Sequence, residues 1–158
     1  MSEKRRILDL LDRAYRAQTW SGPALLETLD GVTSTLAAKR PVKGAHSIWE
    51  LVEHVASWNE IVAMRLGGGK PKITPEWNFP PVSRTTPAMW KATLRRLARS
   101  QSKFRASVAA FPEAKLGRKR SGTDQVWNVL IQGQIQHQLY HAGQIALLRR
   151  ALGRPVRG

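Results

Sequence analysis

Apolar residues recur along this chain at steps of three and four, the period of an amphipathic helix, over four long stretches. The first spans residues 3–18, with Ile7, Leu10, Leu11, Ala14 and Gln18 on one stripe, and Gly22-Pro23 interrupts it. Two short helical pieces, 24–29 and 33–39, form a connector before Pro41. The second long helix opens at Ser47-Ile48-Trp49-Glu50, a capping box in which the serine hydroxyl and the glutamate each serve backbone N–H groups of the first turn. Leu51, Val55, Trp58 and Val62 continue its stripe until Gly67-Gly68-Gly69, whose backbone freedom stops it.

Residues 70–85 hold Pro71, Pro75, Pro80 and Pro81 together with Trp77 and Phe79. Aromatic side chains in so long a connection predict an ordered loop or a flap over something. The third helix opens at Thr86-Pro87 and carries Trp90, Leu94, Leu97, Gln101, Phe104, Val108 and Phe111 at alternating steps of four and three, until Pro112. The last starts near Thr123-Asp124 and runs to about Leu152, before Gly153. Four amphipathic helices without a convincing strand predict one all-α domain over residues 1–158, a four-helix bundle.

Composition sharpens this picture. The 158 residues are 42% hydrophobic, enough for one sizeable core, and include no cysteine. Disulfides, thiolate metal ligands and a cysteine nucleophile are therefore excluded, and a reducing cytoplasm is the expected compartment. No stretch reaches the roughly 18 uncharged apolar residues of a membrane span, and the charges scattered through MSEKRRILDLLDR do not suit a signal peptide. The formal charge is +15, which attracts polyanions in general. Its densest clusters, Arg118-Lys119-Arg120 and Arg149-Arg150 with Arg154 and Arg157, lack interleaved polar base-readers. A solvated basic surface accounts for them better than dedicated DNA binding.

The chemistry lies in the histidines. His137 and His141 stand at i and i+4 on the last helix, so their Cβ atoms lie about 6 Å apart on one face, a spacing from which two imidazoles chelate one metal ion. That face also carries Gln134, Gln144, Ile145 and Leu148 and turns inward. A helical histidine pair alone is more often two hydrogen-bonded imidazoles, but burial of both without partners is costly. His54, mid-way along the second helix beside its apolar stripe, supplies a third imidazole if the two helices are neighbours. Three protein ligands leave a coordination position open, as in catalytic sites. His46, just before the capping box, reads as a loop residue.

Between the paired histidines, Gln138 occupies the position where a zinc protease carries its glutamate base, and glutamine cannot take a proton from water. No phosphate loop, nucleophile elbow or dinucleotide fingerprint is present. Gly133 and Gly143 interrupt the last helix at about 1 kcal/mol each against alanine, and close packing of another helix, ahead of room for a metal-bound ligand, is the expected compensation.

The segment from Leu130 to Ala146, LIQGQIQHQLYHAGQIA, resembles the C-terminal signature of the DinB/YfiT-like superfamily, and Ser47 to His54, SIWELVEH, resembles its second-helix pattern. Trp20-Ser21-Gly22-Pro23 followed by Leu25-Leu26-Glu27 is similar to the family's first connector, so the likeness covers nearly the whole chain. It implies a four-helix bundle of mirror-variant up-and-down topology, commonly dimeric, and a divalent metal, zinc or nickel foremost, held by His54, His137 and His141. Characterised relatives include S-transferases and an isomerase that use low-molecular-weight thiols.

The expected function is therefore metal-dependent thiol transfer to a small electrophilic substrate, with water or a thiol at the open position. Metal-hydroxide hydrolysis of a small ester or amide is the alternative enzyme, and a basic nucleic-acid-binding module the non-enzymatic one. Three imidazoles suit zinc, nickel, copper and iron alike. Glu50 and Gln134 are the expected partners orienting the imidazoles.

Overall fold

Five hydroxyls set where helices begin in the computed structural model, which describes residues 2–156. Ser2, Thr33, Ser47, Thr74 and Thr86 each accept a hydrogen bond from the backbone N–H three residues on, satisfying a donor that the first turn leaves free. The helices are α1 (Glu3–Arg16), α2 (Leu25–Leu29), α3 (Ser34–Ala38), α4 (Ile48–Leu66), α5 (Pro75–Asn78), α6 (Pro87–Ala110) and α7 (Trp127–Ala151). The capping box forms as expected, Glu50 Oε2 accepting from the Ser47 N–H at 2.7 Å. Among the described residues there is no strand, only one isolated antiparallel bridge between Lys119 and Val126, and no helix is long and apolar enough to cross a membrane.

Four local expectations are corrected. α1 ends at Arg16, and Gln18 takes a left-handed φ of 66°. Ile7, Leu11 and Ala14 are buried whereas Leu10 is 51% exposed, because one step along the helix turns it about 100° away from Leu11. α7 starts at Trp127 rather than near Thr123, because the preceding residues fold into a hairpin-like turn. There the Arg120 N–H donates to Gln125 O and the Trp127 N–H to Arg118 O, while the Thr123 hydroxyl accepts from the Gln125 N–H. Gly133 and Gly143 are exposed, and a Cβ added at either would meet nothing within 4 Å, so the close packing expected of them is not made within the chain.

The four long helices form the bundle. α4 packs on α6 and α7, and α1 packs on the same two. Trp49 Nε1 donates to Thr93 Oγ1 at 2.9 Å and Asn59 Nδ2 to Gln101 Oε1 at 3.1 Å, so α4 and α6 ascend side by side in the same direction. Asn128 Nδ2 donates to Glu3 Oε1 at 3.0 Å, which brings the first turns of α1 and α7 together. α7 runs antiparallel to α4, since His54 meets His137 and Asn59 meets Gln134. Because α4 and α6 are parallel, residues 67–86 must climb back along the bundle. That necessity carries α5 and Phe79 past the middle of α4.

Two apolar clusters fill the interior. One gathers Trp49, Val52, Leu97 and Ile145 with residues of α2 and α3; the other gathers Ile7, Leu11, Phe104 and Ile131. Between them lies a layer of buried amides. Asn59 Oδ1 accepts from both Gln134 Nε2 and Gln138 Nε2 at 2.8 Å, and Gln138 Nε2 also reaches Gln101 Oε1 at 2.7 Å. At the C-terminal end of α7, the nearly buried Arg149 donates to the carbonyls of Thr28, Asp30 and Arg154 at 2.8–2.9 Å, clamping α2 onto α7.

Candidate metal centre

α4 and α7 bring the three expected histidines together. His137 Nε2 lies 3.0 Å from His54 Nε2 and 2.9 Å from His141 Nε2. His54 and His141 are buried and His137 half-buried. Among the described residues they form the one cluster of three or more histidine, cysteine or carboxylate side chains close enough to share an ion, and it contains no carboxylate.

The protons on the far side of two rings fix the chemistry of the near side. His54 Nδ1 is 2.6 Å from the backbone carbonyl of Asn78, which can only accept, so that nitrogen carries the proton. His141 Nδ1 is 2.6 Å from Gln144 Oε1, which also accepts. In the neutral rings both Nε2 atoms then present bare lone pairs toward His137 Nε2. A single proton on His137 could serve one of them and not the other, and His137 Nδ1 has no partner of its own. Three nitrogens that converge without enough protons to share match the donor set that a cation requires. Two nitrogens bonded to one ion at about 2.0–2.1 Å lie about 2.8–3.4 Å apart for bond angles between a right angle and a tetrahedral one, and the observed separations fall in that range. The residues therefore fit a divalent metal.

Burial keeps these rings neutral. Desolvation, reinforced by the proximity of His141 and His54, pushes His137 down to about 3. Desolvation likewise pushes His141 to about 4, against the opposing bond to Gln144. His54 is lowered by burial in spite of its bond to Asn78. Neutral imidazole is the form that binds metal.

The expected partners are replaced by others. Glu50 caps α4 through Ser47 and pairs with Arg40, and Gln134 belongs to the amide layer. Asn78 and Gln144 orient the rings instead. Gln144 was visible in the sequence as the residue one turn beyond His141 on the same face. Asn78 was not, because it lies 24 positions from His54 and acts through its backbone.

The loop that was expected to be a flap is bound to the site. Asn78 Oδ1 accepts from Trp58 Nε1 at 2.9 Å. Phe79 stacks on His54 with ring centroids 3.9 Å apart and planes 11° from parallel, and His46 stacks on Phe79 at the same spacing. His46 is thus a loop residue outside the donor cluster, as expected. Trp58 stands edge-on to His137 with centroids 5.9 Å apart, and Tyr140 edge-on to His141 at 5.1 Å. Two surface grooves, of about 1190 and 690 Å³, are lined by residues near the ends of α1 and α7 and do not include the triad.

A family profile described as the DinB superfamily matches residues 18–145. A crystal structure described as that of a conserved protein of a locus from Enterococcus faecalis is similar in fold, with a TM-score of 0.71 at 20% identity, covering 97% of this chain and 99% of that one. No curated protein matches the chain in sequence.

Proposed function

The chain belongs to the DinB superfamily, and from that premise we propose that it is a metal-dependent enzyme that transfers a low-molecular-weight thiol to a small electrophile. The observation that carries this reading is the donor set: three neutral imidazoles, no carboxylate among them, in a chain without cysteine. When bound, a divalent cation supplies positive charge that favours thiolate over thiol, whose free pKa is about 8.5.

Everything else is the work of side chains. His54, His137 and His141 would hold the ion, while Asn78 O and Gln144 Oε1 keep two Nδ1 protons in place so that the opposite nitrogens stay free to ligate. Phe79 and Trp58 supply apolar walls beside His54 and His137 that keep bulk water from the rings. The absence of a carboxylate in the cluster favours a thiol over water as the nucleophile, because hydrolysis gains from a general base, whereas a thiol of free pKa about 8.5 needs only nearby positive charge to ionise near neutrality.

The test loads the protein with zinc or nickel and supplies a small thiol with a chromogenic aryl halide, following thioether formation by absorbance and mass spectrometry. Turnover should require metal, thiol and His137, and should vanish in His137→Ala. Activity on aryl esters that persists without thiol would replace this reading with hydrolysis. Retention on DNA that is steeply salt-dependent and survives chelation, without turnover, would replace it with nucleic-acid binding.

A further inference from the structure

Two arginines stand over indoles beyond the triad, one on α4 and one just before α7. On α4, Trp58 follows His54 by four positions and Arg65 follows Trp58 by seven, so all three lie within about 40° of one line along the helix. Helical side chains lean toward the N-terminus, and Arg65 reaches back over Trp58 with its Cζ 5.9 Å from the ring centroid. Trp58 in turn stands 5.9 Å from His137 and 6.3 Å from His54, centroid to centroid. Two spacings of 5.9 Å put the Arg65 guanidinium no more than about 12 Å from the His137 imidazole.

The second arginine comes from the turn that displaces the start of α7. Arg120 is fixed there by its N–H bond to Gln125 O at 3.0 Å and by the Lys119–Val126 bridge, and its Cζ lies 5.9 Å from the Trp127 centroid. Trp127 is itself packed on Phe111, with centroids 5.1 Å apart. Arg65 is pushed below its usual value, first by burial and then by the nearness of Arg120. Among the described residues neither arginine pairs with a carboxylate. Their neighbours differ: Lys119 has Asp124, and Arg96 has Glu53 and Glu60. Like charges drawn together over apolar rings repel, and an anion between them reverses the sign of that interaction. A cation in the last turn of α4 suits a helix C-terminus, but that role calls neither for a guanidinium folded back over Trp58 nor for a second one near it.

We propose that Arg65 and Arg120, resting on Trp58 and Trp127, form a subsite for a carboxylate carried by a reactant whose other end reacts at the triad. The assignment rests on the thiol-transfer reading of the triad. The planar fork of arginine takes a carboxylate through two parallel hydrogen bonds. The span sets the size of the reactant. At about 3.3–3.6 Å per residue of extended chain, a separation of up to about 12 Å suits a molecule of two or three peptide units rather than a bare alkanethiol. The formal charge of +15 steers such an anion toward the protein from a distance. The carboxylate has two candidate carriers, the thiol and the electrophile.

Matched acid and amide probes distinguish them: 3-mercaptopropionyl-glycylglycine and its C-terminal amide, and 4-chloro-3-nitrobenzoyl-glycylglycine and its amide. In calorimetry on the zinc-loaded protein, the acid of at least one pair should bind about tenfold or more tightly than its own amide, the scale of a charge-assisted hydrogen bond. A preference in the thiol pair makes the thiol the carrier, and one in the aryl pair makes it the electrophile. Arg65→Gln and Arg120→Gln should each remove most of that preference. Arg99→Gln, at an exposed position of α6, lowers the net charge by the same unit and should leave it intact. Zinc affinity by chelator competition should be unchanged in Arg65→Gln and Arg120→Gln, so that a lost preference does not come from a lost ion. No acid preference in either pair, or one that Arg99→Gln reduces equally, would overturn the proposal. Because binding is read without turnover, the two readings fail separately. A protein that prefers an acid yet transfers no thiol keeps the subsite and loses the reaction, whereas one that binds and turns over acid and amide alike keeps the reaction and loses the subsite.

Discussion

His54 donates its Nδ1 proton to the backbone carbonyl of Asn78 at 2.6 Å, so a residue of the proline-rich loop decides which nitrogen of an α4 histidine faces α7. The loop is held there by Phe79 on His54 and by Trp58 on the Asn78 side chain. Phe79→Ala should loosen this hold and weaken zinc or nickel binding by about tenfold or more, the scale on which partners of metal ligands act. Titration of the apoprotein with a competing chelator measures it, and a change of less than twofold would show that the loop does not orient His54.

Gln144→Leu removes the acceptor that orients His141 while preserving size and helix propensity. Metal affinity should fall about 10–100-fold with little change in the melting temperature of the apoprotein. His137→Ala, which removes the central donor, should abolish stoichiometric metal uptake by elemental analysis.

Metal should stabilise the fold. An ion that binds only the folded chain adds about 2.7 kcal/mol at a free concentration one hundred times its dissociation constant. Chelation should therefore lower the melting temperature of the wild type and leave that of His137→Ala unchanged, as read by calorimetry.

Acid should destabilise the apoprotein in a defined window. His137 and His141 titrate near 3 and 4 when folded and near 6.5 when unfolded, so between these values the unfolded chain binds protons that the folded chain refuses. Stability is thus complete above about pH 6.5 and lost as pH falls through the window, by up to about 1.4 kcal/mol per pH unit for each such histidine. Melting temperatures of the apoprotein between pH 8 and pH 4 should be level and then decline. The decline should be shallower in His137→Gln, and equal slopes would contradict the assignment.

The amide layer carries its own expectation. Asn59→Leu takes away the acceptor shared by Gln134 and Gln138 and the donor to Gln101. Buried polar groups left without partners cost about 1–3 kcal/mol each, so urea unfolding should show a loss of roughly 2–4 kcal/mol.

Much of this was legible in the amino-acid sequence. The stripes of α4 and α6 and the capping box of Ser47 and Glu50 are short-range patterns, and they place the helices correctly. The histidine triad was legible because His137 and His141 share a helical face and His54 sits on a core-facing stripe. The start of α7 was misread because Thr123 and Asp124 resemble a helix cap, while the bonds of Arg118 and Arg120 across the turn are not written in local pattern. Asn78 was missed because a backbone carbonyl has no sequence signature, and Gly133 and Gly143 were misassigned because sequence does not tell which face of a helix meets nothing.

The amide layer joining Asn59, Gln101, Gln134 and Gln138 also acts as a ruler. Sliding α7 along α4 by one turn would displace it by about 5.4 Å and strand several amides in apolar surroundings, so the layer locks the height at which His137 and His141 arrive opposite His54. The convergence of the three ring nitrogens is thereby fixed by polar packing that none of the three histidines takes part in.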